Sequence, residues 1–216
     1  MAEKKEPIDG DAVVLAGGES RRMGRDKAKI VLDGKTLVER LIEGLRGVFR
    51  RVHLSVDPTR PLSGGLAPEI RDSRPGLGPI EGVRASLEAL GGPALFVAVD
   101  MPFFWPPLAR GLWEEAAAGS GCRGAVPRWA GGVEPAFAVY TPALAADIER
   151  LLAAELRSLN QLASLPGVKL LDLDRPEVRG PLLGPEAPPV EAIFRNLNTP
   201  EDVEGYRKLR DRSERR

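Results

Sequence analysis

The segment 11–16, Asp-Ala-Val-Val-Leu-Ala, follows a charged amino terminus and is apolar after Asp11 until Gly17 and Gly18 interrupt it. An uninterrupted run of this length predicts a buried parallel strand that opens into a glycine loop. Beyond the loop, Leu37, Leu41, Ile42 and Leu45 recur at helical spacing, and 51–56 reads as a second strand. A weaker strand is expected at 68–71, and Val83, Leu87 and Leu90 mark another helix. The run 94–99 is continuous, apolar and partly β-branched, which predicts a strand that Asp100 closes. Further on, the pattern predicts a helix at 108–117, a strand pair near 125–127 and 136–140, a helix at 142–154 and a strand at 168–173. Residues 175–189 are rich in Pro and Gly and are expected to form a long loop. Order should resume at 192–197, which reads as a strand. A helix at 199–209 follows, with Thr199 as cap, Pro200 in the first position and acids in the first turn.

Strands alternating with helices over the first hundred residues imply βαβ units. The expected fold is therefore a single α/β domain, Rossmann-like, with a mostly parallel central sheet and helices on both faces. Right-handed crossovers would set the glycine loop, Asp72 and Asp100 along the carboxyl edge of that sheet, where open α/β sheets bind ligands. The domain is expected to span 11–211, a nucleotide-binding part at about 11–105 followed by an acceptor-binding part at about 106–211, with flexible tails at 1–10 and 212–216.

Composition narrows the possibilities. The chain has 216 residues, 31 Lys+Arg against 31 Asp+Glu, and 43% hydrophobic residues, enough for one sizeable core. The zero formal charge offers no general attraction for nucleic acid, and no apolar run approaches the roughly 18 to 20 residues that span a bilayer. The charged N-terminal segment lacks the apolar stretch of a signal peptide, so a cytoplasmic location is expected. Cys122 and His53 are each alone, which excludes internal disulfides, paired-cysteine sites and histidine triads by inventory. A bound metal would have to be held by oxygen.

The segment 15–28, Leu-Ala-Gly-Gly-Glu-Ser-Arg-Arg-Met-Gly-Arg-Asp-Lys-Ala, concentrates the candidate chemistry. Gly17 and Gly18 allow the backbone to approach a ligand and turn N–H donors toward phosphate oxygens, and Arg21, Arg22 and Lys27 supply positive charge. Five residues separate Gly18 from Gly24 and no Gly-Lys-Ser/Thr follows, so this is not a Walker loop, nor does it match a dinucleotide fingerprint. The plain alternative is a turn with solvated arginines. Asp100, at the end of an apolar strand, suits Mg²⁺, which keeps waters and substrate phosphates in its shell; a strand-end turn aspartate is the alternative. Asp72 precedes a second glycine loop through Gly76 and Gly78, able to hold a base or ribose edge. Trp129 with Gly131 and Gly132 suits either an approaching flat ring or simple packing. Asn196 and Asn198 stand out because amides are scarce in this chain, and capping of the next helix competes with a binding role.

The motif at 15–28 resembles the signature of nucleotidyltransferases that activate cofactors and sugars, and its double glycine is similar to that of the molybdenum cofactor guanylyltransferases. The resemblance continues through Asp72-Ser-Arg-Pro-Gly-Leu-Gly-Pro-Ile-Glu-Gly82, Val99-Asp-Met-Pro-Phe103, Glu134-Pro-Ala-Phe-Ala-Val-Tyr140 and Asn196-Leu-Asn-Thr-Pro-Glu-Asp202, five blocks in order over most of the chain. It implies the nucleotide-diphospho-sugar transferase fold and transfer of GMP from GTP to molybdopterin-bound molybdenum cofactor, with Mg²⁺ and release of pyrophosphate. It implies GTP contacts at Leu15, Ala16, Gly17, Gly18, Arg21, Lys27, Asp57, Asp72, Gly78 and Asp100. Arg22, Lys27 and Asp100 would be catalytic, with Asp100 also the metal ligand. Glu134, Pro135, Asn196 and Asn198 would contact molybdopterin. Transient contact with molybdenum-insertion proteins or molybdoenzymes is a further implied partnership, and neither nucleic acid nor membrane is.

Three positions depart from the family pattern: Asp57 stands where Asn is usual, Glu134 where Gln is usual and Ala136 where a bulkier residue is usual. The first two exchanges replace a group that donates and accepts with a carboxylate that only accepts. The rival readings are a cytidylyl- or sugar-nucleotidyltransferase with the same loop and metal, and a non-catalytic adaptor that delivers molybdopterin. A dehydrogenase would need a dinucleotide loop that is missing here.

Overall fold

The structure is a computed structural model that describes residues 6–17, 30–32, 34–59, 65–197, 202 and 204. Along the chain run β1 (Ile8–Leu15), β2 (Val31–Leu32), β3 (Lys35–Thr36), α1 (Leu37–Arg46), β4 (Phe49–Val56), β5 (Glu69–Arg71), α2 (Pro79–Leu90) and β6 (Ala94–Ala98). Then follow α3 (Pro106–Ala117), β7 (Gly124–Trp129), β8 (Gly132–Val133), β9 (Phe137–Tyr140), a 3-10 turn (Pro142–Leu144), α4 (Ala145–Ala153), α5 (Asn160–Ala163), β10 (Val168–Asp172), α6 (Pro176–Leu183) and α7 (Val190–Ile193). No helix among the described residues is long and apolar enough to cross a membrane.

The main sheet has the order β10-β7-β9-β6-β1-β4-β5, with β8 paired to β7. β1 is parallel to both β4 and β6, β4 to β5 and β7 to β10, whereas β9 runs antiparallel to β6 and β7. From β1 the chain steps outward to β4 and β5, then returns to the other side of β1 at β6. The strand order therefore reverses between β1 and β6, and open α/β sheets place their ligand crevice at such a reversal, beyond the carboxyl ends of the strands.

Alternation along the strands divides the core in two. Ala12 and Val14 of β1, with Leu95 and Val97 of β6, pack under α1, α3, α6 and α7. Val13 and Leu15, with Phe96, pack under α2, α4 and α5 on the opposite face. The helices are held by their own sequences as well. In α1, Thr36 and Glu39 form a capping box, with the Thr36 N–H donating to the Glu39 carboxylate at 2.7 Å, and Leu37, Val38, Leu41, Ile42 and Leu45 form the buried stripe.

The expected α/β architecture is present, with helices on both faces and a mixed, mostly parallel sheet. Three local expectations need correction. β1 begins at Ile8, so residues 8–10 belong to the sheet rather than to a tail. The expected loop at 175–189 contains α6, even though Pro181 interrupts its hydrogen bonding. Leu182 and Leu183 are buried against the rest of the core, and a Cβ on Gly111 of α3 would lie 2.5 Å from Leu182 Cδ2, so close helix packing outweighs poor local propensity. Residues 192–197 form no strand: α7 ends at Ile193 and an irregular segment follows. The helix expected at 199–209 falls almost wholly outside the described residues.

Candidate active site at the carboxyl edge of the sheet

Three strand ends are tied together at the edge beyond β1. The Ala16 N–H donates to the Ser55 carbonyl at 2.9 Å, and the Val99 N–H donates to the Leu15 carbonyl at 3.2 Å. Gly17 then passes very close to its neighbours. A Cβ there would lie 3.0 Å from the Asp57 nitrogen and 3.6 Å from Asp72 Oδ2. The turn after Leu15 and Ala16, Asp57 after β4 and Asp72 after β5 are thus brought to one rim. Gly18, Arg21, Arg22 and Lys27 of the same loop, and Asn198, lie outside the described residues.

Asp57 is oriented by its own turn. The Thr59 N–H and hydroxyl donate to Asp57 Oδ1 at 2.8 and 2.6 Å, and the Gly76 N–H approaches Oδ2 at 3.4 Å. The Asp57 carboxylate is therefore used as an acceptor. Gly78 caps α2 with φ +79°, a conformation that favours glycine, and no side chain caps this helix start. Its backbone lies in the same loop that Asp57 touches.

Asp72 is buried, its N–H donating to the Val56 carbonyl at 3.0 Å and its Oδ1 facing the Ser55 hydroxyl at 3.4 Å. Burial, reinforced by the like charges of Glu81 and Asp57, pushes its pKa up to about 7; the Ser55 hydroxyl and Arg84 oppose that rise. Helix α2 reaches this spot because residue 82 is glycine: a Cβ there would lie 2.4 Å from Ser55 Oγ and 3.5 Å from Asp72 Oδ1. The sequence pattern alone does not mark Ser55 and Glu81 as neighbours of Asp72. The available signal was faint, an Arg84 three residues after Glu81 on the same helix.

Asp100 follows β6 in a turn closed by the Met101 N–H on the Ala98 carbonyl at 3.0 Å. Its own carbonyl accepts from the Leu197 N–H at 2.9 Å, which carries Asn196 to the same edge. The Asn196 Oδ1 is buried there and has no hydrogen-bond partner among the described residues. From the other side, the Ala98 N–H donates to the Ala136 carbonyl at 2.8 Å, so the segment Glu134, Pro135 and Ala136 borders the end of β6.

Glu134 Oε1 accepts from Trp129 Nε1 at 2.9 Å, and burial raises the Glu134 pKa against the pull of that bond. Pro135 is fixed through its carbonyl, which accepts from the buried Tyr140 hydroxyl at 2.9 Å. Trp129 itself stacks on Phe194 with ring centroids 6.1 Å apart, and a Cβ on Gly131 would overlap its ring at 2.2 Å. Packing accounts for this tryptophan. His53 is likewise structural, bonded to Asp11 Oδ1 at 2.8 Å within the sheet and away from its carboxyl rim.

Among the described residues no group of three or more His, Cys, Asp or Glu side chains is arranged to hold a metal ion. The donors at this edge are oxygens, and Asp100 stands beside the strand reversal. Such a set fits a hard divalent cation that takes one protein carboxylate and completes its shell from phosphate and water.

Comparison with known proteins shows which family the chain resembles. The family described as MobA-like NTP transferase domain matches residues 12–168. A probable molybdenum cofactor guanylyltransferase of Methanosarcina acetivorans is 37% identical over 209 residues, covering 89% of this chain and 88% of the relative. The molybdenum cofactor guanylyltransferase of Rhizobium meliloti is 35% identical over 202 residues, covering 89% and 88%. Among solved structures, the molybdopterin-guanine dinucleotide biosynthesis protein A of Archaeoglobus fulgidus superposes with a TM-score of 0.74 at 25% identity, covering 94% of this chain and 99% of that one.

Proposed function

The chain belongs to the MobA-like NTP transferase family and is a nucleotidyltransferase of molybdenum cofactor biosynthesis, and from that premise we propose that it transfers GMP from GTP to molybdopterin-bound molybdenum cofactor and releases pyrophosphate. The observation that carries this reading is the convergence of Gly17, Asp57 and Asp72 on one rim, beside the strand reversal between β1 and β6. That rim offers acceptors and backbone donors to a nucleoside. The segments bearing Asp100, Glu134, Pro135 and Asn196 meet on the other side of β1, where an acceptor substrate would lie. The proposed division is a nucleotide-binding part at about 11–105, with Asp100 near its boundary, and an acceptor-binding part at about 106–211.

In the proposed reaction a terminal phosphate oxygen of molybdopterin forms a bond to the α-phosphorus of GTP, and the bond from that phosphorus to the β-phosphate oxygen breaks in line. A phosphate monoester is already anionic near neutral pH, so no histidine base is required. Catalysis then rests on positioning and charge neutralisation. Asp57, Asp72 and the Gly78 backbone would hold the nucleoside, and the glycine loop that begins at Leu15, Ala16, Gly17 and Gly18 would take the triphosphate. Arg21, Arg22 and Lys27 neutralise charge that grows on the leaving pyrophosphate. Asp100 would hold Mg²⁺, which supplies electrophilic activation of the α-phosphate when bound. Glu134, Pro135, Asn196 and Asn198 orient the acceptor, and the buried Asn196 Oδ1 awaits a donor of the kind a pterin ring carries.

The test is a nucleotide screen in the presence of Mg²⁺ with molybdopterin as acceptor, read as pyrophosphate release. GTP should be used in clear preference to CTP and UTP. A CTP preference overturns the guanylyl assignment, and binding of nucleotide without turnover on authentic acceptor favours an adaptor.

A further inference from the structure

Glu81 touches neither proposed substrate, yet it is fully buried and held as an ion. Arg84, one turn along α2, grips it at 2.8 and 2.9 Å, and Arg74, in the loop between β5 and α2, donates to it at 2.9 Å. Both arginines reach onward. Arg74 makes a two-point contact with Glu149 of α4, at 2.8 Å on each oxygen, and Arg84 donates to Ser73 Oγ at 2.9 Å and Glu88 at 2.7 Å. Burial works against the charge on Glu81, and the two arginines outweigh it and hold its pKa below the usual carboxylate range.

A buried ion pair is a poor stabiliser, because an apolar group of similar size commonly serves the fold as well. Its location suggests another use. Ser73 and Arg74 directly follow Asp72, and their loop continues to Gly76, whose N–H faces Asp57. The network therefore fastens the start of that loop to α2 and, through Glu149, to α4. Among the described residues, the polar and charged groups that act on Asp72 are Glu81 and Arg84 from α2 with Ser55 and Asp57 from the end of β4.

We propose that Glu81, clasped by Arg74 and Arg84, is a positioning residue of the nucleotide site: it fixes the 73–78 loop between α2 and α4 and sets a negative charge behind Asp72. This rests on reading the rim as the nucleotide site. A nucleoside hydroxyl or N–H that donates to Asp72 favours the ionised carboxylate, while Glu81 and Asp57 oppose ionisation before the nucleotide arrives. Glu81 thereby tunes the pH range over which nucleotide is taken up, and Arg74 holds the loop in the shape that receives it.

The experiment uses the full chain and measures GTP affinity with Mg²⁺ from about pH 5.5 to about pH 8.5, together with KM and kcat for GTP. Wild-type affinity should rise as pH passes about 7. In Glu81→Gln the rise should move to lower pH by about one unit, because a like charge beside Asp72 is gone. Arg74→Gln should raise KM by at least about fivefold with kcat changed by less than about twofold. Superimposable pH profiles for wild type and Glu81→Gln, or an unaltered KM in Arg74→Gln, overturn the proposal. Should Glu81→Gln not fold, Arg74→Gln and Glu149→Gln carry the test, since both side chains are about half exposed. A wild-type chain that binds none of GTP, CTP or UTP overturns the nucleotide reading and this proposal together. Normal wild-type binding with unaltered variants overturns the role of Glu81 alone.

Discussion

The N–H of Leu197 donates to the carbonyl oxygen of Asp100 at 2.9 Å, joining two segments almost a hundred residues apart in sequence. Through this bond the turn after β6 and the chain after α7 become one structural unit, and Asn196 sits next to Asp100 because of it. The bond uses the backbone carbonyl of Asp100, so a change confined to the side chain does not remove it. Asp100→Ala should therefore lower turnover by at least about 100-fold, roughly 2.7 kcal/mol of transition-state stabilisation, while the thermal midpoint shifts by no more than a few degrees. Pyrophosphate release and a melting curve on the same sample check it; unchanged Mg²⁺-dependent turnover would remove Asp100 from the chemistry.

Asp72 links site and stability through pH. Its carboxyl titrates near 7 in the folded protein, above its ordinary value of 3.8, so between those limits the native chain binds more protons than the unfolded chain. The stabilising contribution is complete below about pH 4 and is lost as pH rises to about 7. Asp72→Asn abolishes that loss. The variant should gain stability relative to wild type by about 1–3 kcal/mol at pH 8 and much less at pH 4.5, while its nucleotide affinity falls. Denaturant unfolding at the two pH values decides this, and a pH-independent difference would mean that the buried carboxyl is not the source.

Gly82 gives α2 its approach to β4. An added Cβ would lie 2.4 Å from Ser55 Oγ, forcing that hydroxyl to rotate away from Asp72. Gly82→Ala should cost about 1–3 kcal/mol and weaken nucleotide binding. Combining it with Ser55→Ala removes the clashing oxygen, and the double variant should recover most of the lost stability without recovering the affinity. Full additivity of the two single changes would argue against the contact as the cause.

The core of the fold was legible because β1 and β6 carry apolar runs and β4 carries an alternating one through Val52, Leu54 and Val56, with ends marked by Gly17, Asp100 and Asp57. The candidate site is legible in part: Asp100 stands just beyond the apolar run of β6, whereas Asp72 follows the short polar strand Glu69–Arg71 and is marked by the glycine loop after it. What local pattern did not reveal depends on partners distant in the chain. α6 exists because Leu182 fits against Gly111, which outweighs Pro181, and residues 194–197 follow the backbone bond to Asp100 instead of extending as a strand. Glu81 reads as an ordinary helix-surface acid beside Arg84. Only the meeting of α2 with β4 and with the loop at Arg74 makes it a buried ion.

α4 ends at a residue whose side chain is a burden. The Glu155 N–H donates to the Leu152 carbonyl at 3.0 Å and the Leu156 N–H to the Leu151 carbonyl at 2.9 Å, the paired bonds of a Schellman ending. That ending requires a left-handed residue, and Glu155 adopts φ 58°, the one described non-glycine residue with positive φ. Glycine meets the requirement without the steric penalty of a Cβ, although the unfolded chain gains freedom from the same change. The conformational relief should prevail, so Glu155→Gly is expected to stabilise by about 0.5–1 kcal/mol and to raise the thermal midpoint by about 1–4 °C. Glu155→Ala retains the Cβ and the strain, and should give no comparable gain. A matched increase in both variants would trace the effect to loss of the charge and refute the backbone explanation.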